Sequence, residues 1–252
     1  MEEAIDIYAH RGSTLLAPEN TAMAFELALA YGADVLEIDV RLSRDGHVIV
    51  THDASVNRTS DGHGNVRQLS LHELKKLDAA YRFKDLDGRS YRNQNIQFIT
   101  LDELFSLHPT TRINIDIKDN TPEAAVAVAQ SIEKSAMQKL VNVGSFHASV
   151  VDHFRHQSRN VTTAATQGEV ARLYFGGKLP QPIPYTYLQI PLSYFAIPLT
   201  PAWFIRKAQT LNVQMVYWTV NDPNTMKMLI DRGADGLVTD RVDLASKLIQ
   251  NH

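Results

Sequence analysis

The sequence contains no cysteine. That absence removes disulfides, thiolate metal sites and a cysteine nucleophile together, and it fits a reducing compartment. Also missing is any uninterrupted apolar run of about eighteen residues, the length a membrane-crossing helix needs. The nearest stretch, 183–199, is broken by Pro184, Pro191 and Pro198. The first residues, Met-Glu-Glu-Ala-Ile-Asp, are acidic where a secretion signal is basic, and no apolar core follows them. The expectation is a soluble, cytoplasmic chain with no signal peptide and no integral membrane segment. Basic runs are absent as well, and the formal net charge is −3. No positive field is available to gather phosphate backbones, so nucleic acid is disfavoured as a partner. No internal repeat, low-complexity tract or interdomain linker interrupts the 252 residues.

What is present is a regular alternation. Short runs rich in β-branched and apolar residues fall at 6–10, 35–41, 47–52, 112–118, 140–145, 161–165, 186–191, 213–220 and 236–239, bounded by Gly, Asp, Asn or Pro. Amphipathic stretches at 21–31, 122–137, 148–156, 201–211, 224–232 and 243–250 lie between them. Thr121-Pro122-Glu123 opens one of these with a capping residue, a proline at the first helical position and an acid in the first turn. Strand and helix alternating about eight times predict an α/β fold, a (β/α)8 TIM barrel, and barrels of this kind run to about 250 residues as one domain. We therefore expect one catalytic domain over 1–252. The segment 54–99 lacks a clear βα unit and is rich in Gly, Ser, Asn, Asp and Arg. It reads as an insertion after the second barrel strand, of the kind that serves as a lid or faces substrate.

Barrel enzymes carry their chemistry at the C-terminal ends of the strands. There the sequence concentrates polar groups. The first strand ends in His10-Arg11, the second holds Glu37 and Asp39, its continuation ends in His52-Asp53, and the third holds Asp116 and Lys118. Glu37 and Asp39 are two apart and share a strand face, opposite Leu36, Ile38 and Val40; Asp116 and Lys118 share a face opposite Ile113, Ile115 and Ile117. Turned into the barrel, three carboxylates would repel and raise one another's pKa. A hard divalent cation resolves that conflict, and an all-oxygen set suits Mg²⁺ or Ca²⁺. The alternative is that these acids merely pair with Arg11, Arg41 or Lys118. Two histidines beside the acids add a proton donor and acceptor suited to neutral pH.

The series His10-Arg11-Gly12, Pro18-Glu19-Asn20-Thr21, Glu37-Ile38-Asp39 and His52-Asp53 resembles the glycerophosphodiester phosphodiesterase family. The likeness continues through Arg58-Thr59, Thr100-Leu101-Asp102-Glu103, 114–118, Trp218-Thr219-Val220-Asn221 and 236–240, in order along nearly the whole chain. The resemblance implies a (β/α)8 barrel with a small insertion after the second strand. It implies hydrolysis of glycerophosphodiesters to glycerol 3-phosphate and an alcohol, with His10 and His52 as the acid/base pair. It further implies Glu37, Asp39 and Asp116 as metal ligands and Arg11 and Lys118 as neutralisers of the phosphate, with Trp218 either flanking the glycerol or packing in the barrel. Position 116 departs from the family's more usual Glu, which sets its carboxylate back by about 1.5 Å. Phe98-Ile99 stands where Ile-Pro is usual. Within the enzyme class the rival is a lysophospholipase D-like activity on lipid substrates, and outside it a non-catalytic phosphate-binding barrel.

Several smaller expectations accompany these. Glu19 and Asn20 are expected to serve the start of the helix at Thr21, the alternative being that they orient His10. Arg58 is expected in a salt bridge inside the insertion, the alternative being that it reaches the site from there. Phe195, Trp203 and Phe204, near Ile197 and Leu199, are expected under the outer helices, the alternative being an apolar rim that accepts lipid.

Overall fold

The computed structural model describes residues 5–250. Its strands are β1 (Asp6–His10), β2 (Val35–Leu42), β3 (Val48–Val50), β4 (Arg112–Ile117), β5 (Val141–Gly144), β6 (Thr162–Thr163), β7 (Tyr187–Pro191), β8 (Ser193–Tyr194), β9 (Ile197–Pro198), β10 (Gln214–Trp218) and β11 (Gly236–Thr239). The helices are α1 (Ala22–Ala30), α2 (Leu71–Leu74), α3 (Leu101–Leu107), α4 (Pro122–Lys134), α5 (Ala148–Gln157), α6 (Gln167–Phe175), α7 (Ala202–Gln209), α8 (Pro223–Asp231) and α9 (Val242–Gln250). Eight strands pair in parallel in the order β6-β5-β4-β2-β1-β11-β10-β7. A parallel bridge between Ala164 and Tyr187 joins the two ends, so the expected barrel is the observed one.

Alternation decides which residues face in. On β2, Leu36, Ile38 and Val40 are buried against the helical layer, as are Ile113, Ile115 and Ile117 of β4. The opposite parity supplies the barrel interior. Tyr8, Val35, Val216 and Val238 cluster there as a plug beneath the polar end, in the layered manner of such barrels. Gly236 makes room for this plug, since a Cβ at that position would lie 2.7 Å from the Tyr8 ring.

Three local expectations change. The run 47–52 does not extend β2 but folds back as β3, antiparallel to it through Val40–Val50, Arg41–Ile49 and Leu42–Val48. The turn at Asp45-Gly46 (φ 84° at Gly46) makes that reversal. The segment 54–99 packs on its own apolar cluster around Val56, Val66, Leu74, Ala79 and Phe98, and none of its residues lines the main cavity. A lid is therefore not its arrangement here. Of the three aromatics expected under the helices, only Phe204 is buried. Phe195 sits at the tip of the β8–β9 hairpin and is 89% exposed, and Trp203, one step round α7 from Phe204, is 46% exposed.

Candidate active site

Immediately after β1 the chain reverses through Arg11, Gly12 and Ser13, with φ of 50°, 81° and 77°. Left-handed conformations cost an ordinary residue about 1 kcal/mol each, so tertiary contacts must hold the turn. They are visible on both sides. The Arg11 N–H donates to Glu37 Oε2 at 3.0 Å, and the Arg11 Nε lies 3.0 Å from Asp39 Oδ2. The strand register explains the meeting, because His10 lies beside Glu37 and Asp39 beside Asp116.

Glu37, Asp39 and Asp116 do converge, and two cations lie among them. Lys118 Nζ is 2.6 Å from Asp116 Oδ2 and 2.8 Å from Asp39 Oδ1. Asn20 Nδ2 donates to Asp39 Oδ2 at 3.2 Å. Burial would raise the Asp39 carboxyl, but Lys118 and Arg11 hold it below the ordinary range. Burial and the neighbouring Asp39 charge push Glu37 up, and burial likewise raises Asp116. The pairing with Arg11 and Lys118 is thus real but incomplete, with three acids set against two bases. Asp116 Oδ1 is also buried without a hydrogen-bond partner. A hard cation fits such a donor set chemically. Among the described residues, however, no three His, Asp or Glu side chains are grouped as a ready metal cage. Lys118 bridges Asp39 of β2 and Asp116 of β4.

Each histidine has its own carboxylate. His10 Nδ1 is 2.6 Å from Asp240 Oδ1, and His52 Nδ1 is 2.7 Å from Asp53 Oδ1. An ionised acceptor at Nδ1 fixes that nitrogen as the donor and leaves Nε2 for chemistry. Asp240 also accepts from Thr14 Oγ1 at 2.6 Å and Asn221 Nδ2 at 2.7 Å. Burial opposes its ionisation, but the hydrogen bond and charge of His10 hold it down at about 2. Burial correspondingly works against a charged His10, yet Asp240 and Glu37 outweigh it and raise the pKa of the ring above the ordinary value. Asp53 is held at about 2 despite burial by Arg58 and His52. Arg58 donates through Nε to Asp53 Oδ2 at 2.6 Å and through its two terminal nitrogens to Glu19 at 2.6 and 2.8 Å. So Arg58 does not pair within the segment 54–99; it braces the carboxylate behind His52. Thr21 caps α1 as expected, whereas Asn20 grips Asp39 and Glu19 grips Arg11 and Arg58.

A cavity of about 370 Å³ opens at this end of the barrel and brings together His10, Arg11, Glu37, Asp39, His52, Asp116, Lys118 and Trp218. Trp218 stands at its wall, edge-on to Phe146 with ring centroids 5.7 Å apart. The same cavity is also lined by the apolar side chains of Phe146, Val170, Tyr174, Phe175, Ile190 and Leu199. The sequence places Asp240, Asn221 and Asp53 at strand ends but offers no reason to give them roles. Only the three-dimensional pairing shows that they orient the histidines.

Paired cations, anchored imidazoles and buried acids at the C-terminal mouth of a (β/α)8 barrel define the class as a barrel enzyme built for an anionic ester. The comparisons with known proteins carry this further. Residues 10–244 match the model of the glycerophosphoryl diester phosphodiesterase family. A glycerophosphodiester phosphodiesterase from Caldanaerobacter subterraneus subsp. tengcongensis is 31% identical, covering 97% of each chain. A lysophospholipase D from Mus musculus is 29% identical over 92% of this chain and 82% of its own. The solved structure of an Oleispira antarctica phosphodiesterase, in complex with the product sn-glycerol-3-phosphate, superposes with a TM-score of 0.81 at 23% identity. It covers 98% of this chain and 97% of the other. The chain belongs to the glycerophosphoryl diester phosphodiesterase family. It is an enzyme of that family, a phosphoric diester hydrolase.

Proposed function

We propose that the chain cleaves glycerophosphodiesters to glycerol 3-phosphate and a free alcohol, with His10 and His52 exchanging the protons. The observation that carries this reading is the double anchoring of the histidines. Each Nδ1 is tied to its own carboxylate, so both rings are left with Nε2 available at one cavity. His10, whose pKa is raised, is suited to protonate the leaving alkoxide, and His52 to take the proton of the nucleophile. Lys118 spends two of its three donors on Asp39 and Asp116, leaving one for a phosphoryl oxygen. Arg11, on the other side of Asp39, adds a second positive charge to balance the developing negative charge. Glu37 and Asp39, with Asp116 beyond Lys118, are the residues that would hold a divalent cation, Mg²⁺ or Ca²⁺ by their oxygen chemistry. Such an ion supplies further charge to the phosphoryl oxygens when bound. Trp218, which lines the cavity, would flank the glycerol moiety.

The apolar residues in the cavity lining favour a second reading, in which a lysophospholipid is the diester and its acyl chain packs against Tyr174, Phe175 and Ile190. One experiment separates the two. Release of glycerol 3-phosphate or lysophosphatidate is followed from glycerophosphocholine, glycerophosphoethanolamine and lysophosphatidylcholine, with Mg²⁺ or Ca²⁺ added to chelator-treated enzyme. Cleavage of the first two with metal dependence is expected. Turnover of lysophosphatidylcholine alone establishes the second reading, and full activity in the presence of EDTA refutes the cation assignment.

A further inference from the structure

The rim of the barrel beside the cavity carries aromatic rings that the fold does not use. Phe195 is 89% exposed, Phe175 70%, Tyr194 48% and Trp203 46%. Single exposed hydrophobes are ordinary, but these stand in two ring groups joined by a hydrogen bond. Tyr194 meets Phe195 at 4.8 Å between centroids, and Tyr174 meets both Phe175 at 5.1 Å and Trp203 at 5.0 Å. The Tyr174 hydroxyl donates to the Pro198 carbonyl at 3.1 Å, tying α6 to the hairpin. Phe195 holds φ at 50°, a conformation that disfavours a bulky side chain, at a tip where Gly or Asn would fold more easily. Neither packing nor turn chemistry explains a phenyl ring there.

The charge of the same region is as selective. The chain has 28 Asp and Glu and a net charge of −3, yet residues 170–221, which carry these rings, contain no Asp or Glu at all. They contain Arg172, Lys178, Arg206 and Lys207, and the first three are exposed. A segment free of acids, with exposed basic residues among exposed Phe, Tyr and Trp, has the chemistry of a surface that meets the headgroup level of an anionic bilayer. The patch is also continuous with the cavity, because Tyr174, Phe175 and Tyr194 line its mouth.

We propose that the hairpin 193–198, the end of α6 and the start of α7 form a docking surface for an anionic lipid surface, setting the mouth of the cavity against it. The attachment is peripheral, and no helix among the described residues is long and apolar enough to cross a membrane.

The test is co-sedimentation of the full chain with vesicles of phosphatidylcholine containing phosphatidylglycerol, alongside pure phosphatidylcholine vesicles. Tryptophan emission is recorded in parallel, with Trp203→Phe identifying the contribution of Trp203. Expected results are partition onto the anionic vesicles, a blue shift that disappears in Trp203→Phe, and weakening at high salt. Phe195→Ser lowers partition roughly tenfold, the effect of one phenyl ring leaving the apolar phase. Arg206→Ala weakens binding to anionic vesicles only. Both substituted side chains are exposed and lie outside the catalytic cavity, so circular dichroism and turnover of soluble glycerophosphocholine stay as in the wild type. Equal partition of wild type and Phe195→Ser, indifference to lipid charge, or no vesicle binding overturns the proposal. So does a dimer in sedimentation velocity that Phe195→Ser dissociates in the absence of vesicle binding, since the patch would then join two copies of the chain.

Discussion

Replacing Asp240 by Asn changes one atom type and removes one charge, and its consequences follow from the contacts already described. The carboxylate accepts from His10, Thr14 and Asn221. An amide that turns its NH₂ toward His10 forces Nδ1 to accept, so the proton moves to Nε2 and the resting tautomer is reversed. An amide that turns its oxygen keeps the geometry but loses the charge. In either case the main support of a protonated His10 disappears, while the burial that opposes it remains. In the proposed role of His10 as proton donor, the alkaline limb of kcat/KM should move to lower pH, and kcat should fall roughly 10²- to 10⁴-fold. Stability provides a separate measure. Asp240 is held at about 2 against an ordinary 3.8, so its ionised form stabilises the folded state by about 2 kcal/mol. Because the folded-state pKa is depressed, that contribution is present above the unfolded value and lost as pH falls through the folded one. Denaturant titrations from about pH 5 to about pH 2 should therefore show the wild type losing roughly 2 kcal/mol relative to the variant. A variant with wild-type kcat and an unmoved alkaline limb would refute the positioning role of Asp240, whatever its stability.

Three further outcomes are expected. His10→Ala and His52→Ala each lower kcat by about 10³-fold or more with unchanged circular dichroism, and wild-type turnover in either removes that residue from the proton-transfer pair. Lys118→Met strands two buried carboxylates and destabilises the fold by about 3 kcal/mol in urea, a loss that added divalent cation partly reverses; a variant as stable as wild type contradicts the shared ion pair. Gly12→Ala puts a Cβ 2.6 Å from that of Ala24 at a φ of +81°. It should cost about 2 to 4 kcal/mol in thermal unfolding, and a loss under about 0.5 kcal/mol means that the turn yields easily.

The strand ends were legible because their signals are local. Alternation at period two sets Glu37 and Asp39 against Leu36, Ile38 and Val40, and the barrel then dictates which set turns inward. Asp240 carries no such signal. It lies 230 residues from the ring it anchors, and no spacing rule connects them. The helices absent from the sequence reading, α2, α3 and α6, are a different case. Each opens with a complete capping box, Ser70 with Glu73, Thr100 with Glu103 and Thr166 with Glu169. Hydrophobic periodicity is weak in such short helices, whereas the Ser/Thr-x-x-Glu pattern marks their first turns. Phe195 and Trp203 take the alternative place, at the rim, while Phe204 is buried, because hydrophobicity alone cannot tell a residue under a helix from one at a hairpin tip.

The hydrogen bond between His10 and Asp240 joins the first barrel strand to the residue after the last, and β1 and β11 are also neighbours in the sheet. A nascent chain that has emerged through β10 already holds both histidines and all three acids, but its first histidine is unanchored. With His10 as the proposed proton donor, catalytic competence is expected to arise at the closing event of folding rather than to grow with the chain. Activity of this enzyme should therefore report barrel closure, with intermediates of high helical content remaining silent.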